Sequence, residues 1–203
     1  HHIAIDLWSI SVLVEEIQAL YPAVAAGKAP PALPMPTPYA DYVAWQRKMV
    51  QGPEGERLWG YWRRQLADAL EPMELPFDFP RPRFHTFRGA SYPFLLEPDF
   101  RDRLHELAHR EGTSLHSVLL AAYHVLLHRY TGQRVVVAGS PVTGRTRPEF
   151  ARVVGCLINF LPLRADLGGD PTFREALQRV YTTVLEALDH QDFPFSLLTE
   201  RLE

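Results

Sequence analysis

The sequence predicts an α/β or α+β fold with a mixed sheet, on three observations. Short β-branched apolar runs alternate with longer segments whose apolar residues recur at helical spacing. Proline-rich stretches punctuate them. The composition, 46% hydrophobic and 22% charged, is that of an ordinary globular chain able to bury a core.

Taken in order, His1–Ile5 is apolar and β-branched enough to end a strand. Ile10, Leu13, Val14, Ile17 and Leu20 then mark a helix over Trp8–Tyr21, with Asp6-Leu7 as the turn between them. Pro30 to Pro38 must be a loop, because neither a helix interior nor a central strand accepts so many prolines. Tyr39–Val50 and Pro53–Leu70 read as two aromatic-rich helices separated by Gly52-Pro53. The prolines and scattered charge of Glu71–Phe87 make a linker, and a domain boundary is expected near residue 82.

Beyond it come a strand over Ala90–Leu96 and a helix over Pro98–Arg110 with a buried stripe of Phe100, Leu104, Leu107 and Ala108. Gly112 stops that helix, and Thr113 or Ser114 caps another running to about Tyr130 around Val118, Leu119, Ala122, Val125 and Leu126. Strands over Arg134–Gly139 and Cys156–Leu163, a helix over Thr172–Asp189 and a last helix from Pro194 complete the pattern. No internal repeat is evident.

Charge narrows the function. Lys+Arg number 21 against 24 Asp+Glu, a net charge of -3 with mixed signs, so there is no basic footprint for phosphates, and nucleic acid and anionic membrane are poor partners. The single cysteine, Cys156, excludes an internal disulfide and an all-cysteine zinc site and fits a reducing compartment, the cytoplasm by default. No apolar run approaches the ~18 residues of a membrane span, and no secretory leader is visible. With no initiating methionine and an end at Glu203 inside what reads as a helix, the chain looks like a fragment.

The strongest chemical feature is His1-His2-x-x-x-Asp6, placed where a strand gives way to a helix and an aimed side chain is easily held. In a strand, adjacent side chains face opposite ways, so one histidine would work while the other packs. Imidazole titrates near neutrality, which suits it to accept a proton from a nucleophile or to orient it. Asp6 would fold back or cap the helix, a structural role.

These residues resemble the HHxxxDG-type motif of nonribosomal peptide synthetase condensation domains. The resemblance continues collinearly: Tyr39-Ala-Asp41-Tyr42-Val-Ala-Trp45-Gln46-Arg47 is similar to the family's YxDYAxWQR, and Tyr130-Thr-Gly-Gln133 with Gly139-Ser-Pro141-Val-Thr-Gly144-Arg145 to its RYTGQ and GxPxxGR. Gly155-Cys-Leu-Ile-Asn159-Phe-Leu-Pro-Leu-Arg164 resembles GxFVNTLxLR, and His190-Gln191-Asp192-Phe193-Pro194-Phe195 resembles HQDxPF.

The resemblance implies a two-lobed α/β fold (an α+β sandwich), incomplete here, each lobe like chloramphenicol acetyltransferase with mixed sheets covered by helices, with residues 1–82 the later part of the N-terminal lobe and 83–203 the earlier part of the C-terminal lobe. It implies amide formation: the amine of an acceptor aminoacyl thioester attacks the thioester of an upstream donor. Each is tethered by phosphopantetheine to a carrier protein, with an adenylation domain adjacent, and no cofactor is bound by the chain itself. His2 matches the functional histidine, acting as general base or positioning the amine, with His1 and Asp6 completing the catalytic motif. Asp6 would pair with Arg145, and Leu7, Trp8, Ser9 and Asn159 would border the substrate. As part of a larger synthetase the segment would act as an acyltransferase; alone it is expected to be inactive.

Leu7 departs from the family's glycine. Its N–H still begins a helix and can face a developing oxyanion, but the side chain adds bulk where glycine leaves space, which predicts altered substrate geometry or lowered activity. Trp8-Ser9 and the paired histidines disfavour epimerization and heterocyclization domains.

Two other readings compete. A degenerate, non-catalytic carrier-docking module is compatible with Leu7. His105-Glu106-Leu107-Ala108-His109 fits the HExxH zinc-hydrolase motif, but Leu115 holds the third-ligand position, His116 is out of register and Gly112 reads fully as a helix stop; no metal ligand set is assigned. His124 and His128 read as structural, Cys156 as a small buried hydrophobe, and His190-Gln191-Asp192 as a helix cap. For Asn159, inside an apolar run, substrate contact and structural bonding stand level.

Overall fold

The computed structural model of the chain describes residues 1–67, 72–80, 82–84 and 86–202. Seven α-helices and two strands occur among these residues: α1 (Leu7–Ala25), α2 (Tyr39–Val50), α3 (Pro53–Leu66), α4 (Pro98–Arg110), α5 (Leu115–Thr131), β1 (Val135–Val142), β2 (Asn159–Asp166), α6 (Phe173–Asp189) and α7 (Phe195–Leu202). Strands β1 and β2 pair as a two-stranded sheet. No helix among the described residues is long and apolar enough to cross a membrane.

Local chemistry sets the helix ends. Asp6 caps α1 by accepting the Ser9 N–H, and Ser114 caps α5 by accepting the Ser117 N–H. Gly132 ends α5 at φ 72°, a left-handed conformation glycine adopts without steric cost. α1 runs past Tyr21 to Ala25 with Pro22 inside its last turn, which forgoes the one helical hydrogen bond a proline cannot donate. α3 closes at Leu66, and the expected continuation over 68–70 lies outside the described residues.

Three expectations need correction. His1–Ile5 is not a strand but a turn, closed by the Ala4 N–H on the His1 carbonyl at 3.0 Å. Ala90–Leu96 has no regular structure. Both stretches have strand-like composition, but a strand needs a partner ladder, and neither has one among the described residues. The strand expected over Cys156–Leu163 starts instead at Asn159. Upstream backbone groups are bonded elsewhere: the Leu157 N–H to Asp6 and the Gly155 N–H to Ser9. The resulting sheet is smaller than the pattern promised.

The chain divides into two compact units. The first comprises His1–Arg64, Ser140–Leu161 and His190–Glu203. Tyr42, Phe150, Val153 and Leu157 form a buried cluster in it, with Trp45 against them. Tyr42 meets the Phe150 ring edge-on at 5.3 Å. Leu58, Trp62, Phe193 and Leu198 are also buried there. Helix α1 buries only Ser9 and Val12, while Ile10, Leu13, Val14 and Ile17 of its expected core stripe are exposed.

The second unit comprises Gln65–Gly139 and Pro162–Asp189. Helix α5 packs on α6 and on α4. α6 buries Ala176, Leu177, Val180, Val184 and Ala187, one face at helical spacing. On α5 the buried face is Ser117, Val118, Ala121, His124 and Leu127, whereas Leu119 and Leu126 are exposed. α5 is apolar on nearly every side, so packing rather than periodicity picks the register. On α4 only Ala108 of the expected stripe is fully buried, and Phe100 is exposed.

Candidate functional site

The first turn of α1 is anchored by a buried charge pair. The Arg145 guanidinium donates to both Asp6 oxygens, Nη1 at 2.8 Å and Nη2 at 3.0 Å, with both side chains 3% exposed. The Leu157 N–H and the Ser9 N–H and hydroxyl also donate to Asp6, at 3.0, 2.9 and 2.7 Å. Burial alone would raise the carboxyl, but the hydrogen bonds from Arg145, Ser9 and Leu157 outweigh it and lower it from 3.8 to about 2. Asp6 is therefore a fixed anion.

Arg145 is held in turn by the carbonyls of Thr143 (3.1 Å) and Val153 (2.9 Å) and by Ser9 Oγ (2.9 Å). Gly144 sets up this approach. Its φ is +66°, and a Cβ there would overlap the Leu157 carbonyl. Gly155 is similarly close to Tyr39, whose ring a Cβ would overlap.

Ser9, expected beside substrate, is instead wholly buried. Its oxygen accepts from Arg145 and the Gly155 N–H, and its one proton lies between Asp6 Oδ1 and the Gly155 carbonyl. With that capacity used, Ser9 ties α1 to Gly155 and Arg145.

His1 and His2 are exposed in the preceding turn, and the His1 Nδ1 accepts the Ile3 N–H at 3.3 Å. Since the segment is not a strand, alternation does not force the two rings onto opposite faces. Leu7 is 76% exposed at the start of α1, where first-turn N–H groups have no intrahelical acceptor. Trp8 is half exposed and donates its indole N–H to the Ala151 carbonyl at 3.0 Å. Leu7 and Trp8 border a cavity of about 310 Å³ that Pro141, Val142 and Ile158 also line. Sequence reasoning missed those three walls, which carry no functional group to mark them.

Asn159 lies elsewhere, at a second cavity of about 290 Å³ with Tyr39, Tyr42, Gln46 and Cys156. Its amide nitrogen donates to the Gln191 and Phe193 carbonyls, both at 2.8 Å, and its oxygen accepts the Phe195 N–H at 2.9 Å. The amide thus fastens the start of β2 to residues 191–195. Cys156 is half-buried rather than a core residue. His190 stacks on Tyr61 at 3.9 Å between ring centroids, and its carbonyl accepts the Trp62 indole N–H at 3.0 Å. Asp192 accepts from the Thr146 hydroxyl at 2.8 Å, and burial raises its carboxyl despite that bond.

His105, Glu106 and His109 are exposed on α4. Among the described residues no three His, Cys, Asp or Glu side chains gather as a metal-holding group. His124, by contrast, is buried within α5, with Nε2 3.1 Å from the Leu163 carbonyl; burial lowers it from 6.5 to about 4.

Comparison with known proteins agrees with the motif order. The chain is 44% identical over 203 residues to one of the linear gramicidin synthase polypeptides of Brevibacillus parabrevis, covering 100% of this chain and 3% of that protein. The fold matches the SgcC5 protein from Streptomyces globisporus with a TM-score of 0.82 at 34% identity, covering 98% of this chain and 44% of that one. It matches the first condensation domain of the calcium-dependent antibiotic synthetase, solved with a substrate analogue, with a TM-score of 0.81 at 29% identity, over 100% of this chain and 44% of that one. The architecture is thus the mixed, chloramphenicol acetyltransferase-like fold of those domains, and the chain spans under half of either solved structure. The Condensation domain family matches residues 1–203 throughout, and the chain belongs to that family.

Proposed function

We propose that the chain forms part of a peptide-bond-forming condensation domain in a cytoplasmic nonribosomal peptide or hybrid polyketide synthetase. Residues 1–82 would belong to its N-terminal lobe and 83–203 to its C-terminal lobe. The observation that supports this best is the Asp6–Arg145–Ser9 knot, which fixes the start of α1 five residues after an exposed His2.

The partners are an upstream and a downstream carrier protein bearing phosphopantetheine thioesters, with an adenylation domain alongside. The acceptor amine attacks the donor thioester carbonyl; the C–N bond forms, the C–S bond breaks, and the amine proton leaves as the donor thiolate is released. His2 takes that proton or orients the amine. Bringing two tethered reactants together supplies much of the rate in either case. Asp6 and Arg145 position the turn rather than touch substrate. Leu7 adds bulk beside the reacting groups.

The test is single-turnover condensation by the synthetase polypeptide containing this chain, with donor- and acceptor-loaded carriers. Amide product that falls at least about a hundredfold in His2→Ala supports the reading. Carrier binding with no product in the unaltered protein would replace it with a docking role.

A further inference from the structure

The cavity at the first turn of α1 has an unusual distribution of polarity. Leu7, Trp8, Pro141, Val142 and Ile158 supply apolar walls, and its two hydroxyls, of Ser11 and Thr143, each make one contact within the chain and carry no charge. Ser11 Oγ donates to the Leu7 carbonyl at 3.5 Å, and Thr143 Oγ1 accepts the Arg145 N–H at 3.3 Å. Beneath them the Asp6 carboxylate and Arg145 fork neutralise each other. The remaining Arg145 donor, Nε, is buried out of solvent. A cation or anion entering here would lose water and find no free counter-charge, a cost that an uncharged group avoids.

Size and position add to this. About 310 Å³ lies at the small end of the roughly 300–1,000 Å³ spanned by ligand pockets, room for one side chain rather than a whole carrier-bound substrate. Leu7 lies within about 17 Å of His2 even along a fully extended chain, so a group seated here can belong to a molecule reacting at that ring.

We propose that this cavity is the side-chain subsite of the condensing site and admits an uncharged, apolar group of amino-acid side-chain size borne on a thioester-linked substrate. The assignment rests on the amide-forming reading above. Leu7 is its specificity-determining outer wall.

Pantetheine amides of leucine, lysine and glutamate, titrated into the synthetase polypeptide that contains this chain with the segment isotopically labelled, test it by backbone amide resonance shifts. The leucine amide should bind at least about tenfold tighter than the other two, with shifts centred on Leu7, Val142 and Ile158. Leu7→Gly should weaken it roughly tenfold. Ser11→Asp, a carboxylate at an exposed helix position on the cavity rim, should reverse the order in favour of the lysine amide. Equal affinities, shifts centred elsewhere, or no binding of any of the three would overturn the subsite. Condensation by the containing synthetase separates the two ideas. Product formed without side-chain preference removes the subsite and leaves the reaction. Preference in binding with no product removes the reaction and leaves an apolar pocket.

Discussion

Arg145 clamps both carboxylate oxygens of Asp6 from 139 residues further along the chain, at 2.8 and 3.0 Å. Neither charge reaches solvent, so each is the other's only counter-charge, and the surrounding N–H, hydroxyl and carbonyl groups replace the rest of its hydration. Asp6→Ala should cost about 3–5 kcal/mol, the range for leaving one member of a buried pair alone. Arg145→Lys should recover only part of the loss, since an ammonium cannot make the two-pronged contact. Urea denaturation of the three proteins gives the comparison. Because the Asp6 carboxyl is lowered from 3.8 to about 2 on folding, its contribution is complete above about pH 4 and fades as pH falls towards 2.

His124 governs a separate acid limb. Its folded-state value is lowered from 6.5 to about 4, so the unfolded chain binds a proton more readily over that interval. The stability held above pH 6.5 is therefore lost as pH falls to 4, by about 3 kcal/mol on conversion of the shift. The buried Nδ1 meets no hydrogen-bond partner among the described residues, so a proton placed there has nothing to bond. Urea midpoints measured against pH should flatten between those limits in His124→Gln.

Gly144→Ala should be the more damaging of two single-methyl additions. At Gly144 the backbone is left-handed, which costs a non-glycine residue roughly 1–2 kcal/mol, and the new Cβ would also overlap the Leu157 carbonyl beside Asp6. At Gly139 a Cβ meets open space. Thermal melts of the pair should show a large drop for the first and little change for the second.

At Asn159 the two amide atoms can be separated. Asn159→Ala removes three hydrogen bonds, at about 1 kcal/mol each. Asn159→Asp keeps an acceptor for the Phe195 N–H but sets a carboxylate against the Gln191 and Phe193 carbonyls. Hydrogen exchange at the Phe195 amide should accelerate in the alanine variant more than in the aspartate variant, while both lose stability.

Helix limits were the most legible part of the chain, because their signals are local. Tyr39–Val50 and Pro98–Arg110 follow directly from periodicity with Gly-Pro and glycine punctuation, and Ser114 is one of the two caps the sequence offered for α5. The strands were read less well, since ladder partners lie far away: the strand-like composition of Ala90–Leu96 states a preference that no described neighbour satisfies. Burial on α5 was equally hidden, because His124 replaces an apolar residue on the inward face while Leu126 looks outward. In the candidate site, the motif residues were visible as motifs, but their duties were not. Ser9 and Asn159 owe their roles to backbone groups more than thirty positions away, which no spacing rule encodes. The cavity walls Val142 and Ile158 gave no signal, being unremarkable aliphatics until the backbone brings them together.

The tethered indole of Trp8 gives the molecule a built-in optical reporter. Its ring borders the cavity, half open to water, with its N–H fixed on Ala151. Trp62, by contrast, is deeply enclosed and Trp45 and Trp59 are half-buried, so Trp8 is the most open of the four indoles to external quenchers. Filling the cavity should therefore blue-shift the accessible component of emission and protect it from iodide, so that occupancy can be followed without a label.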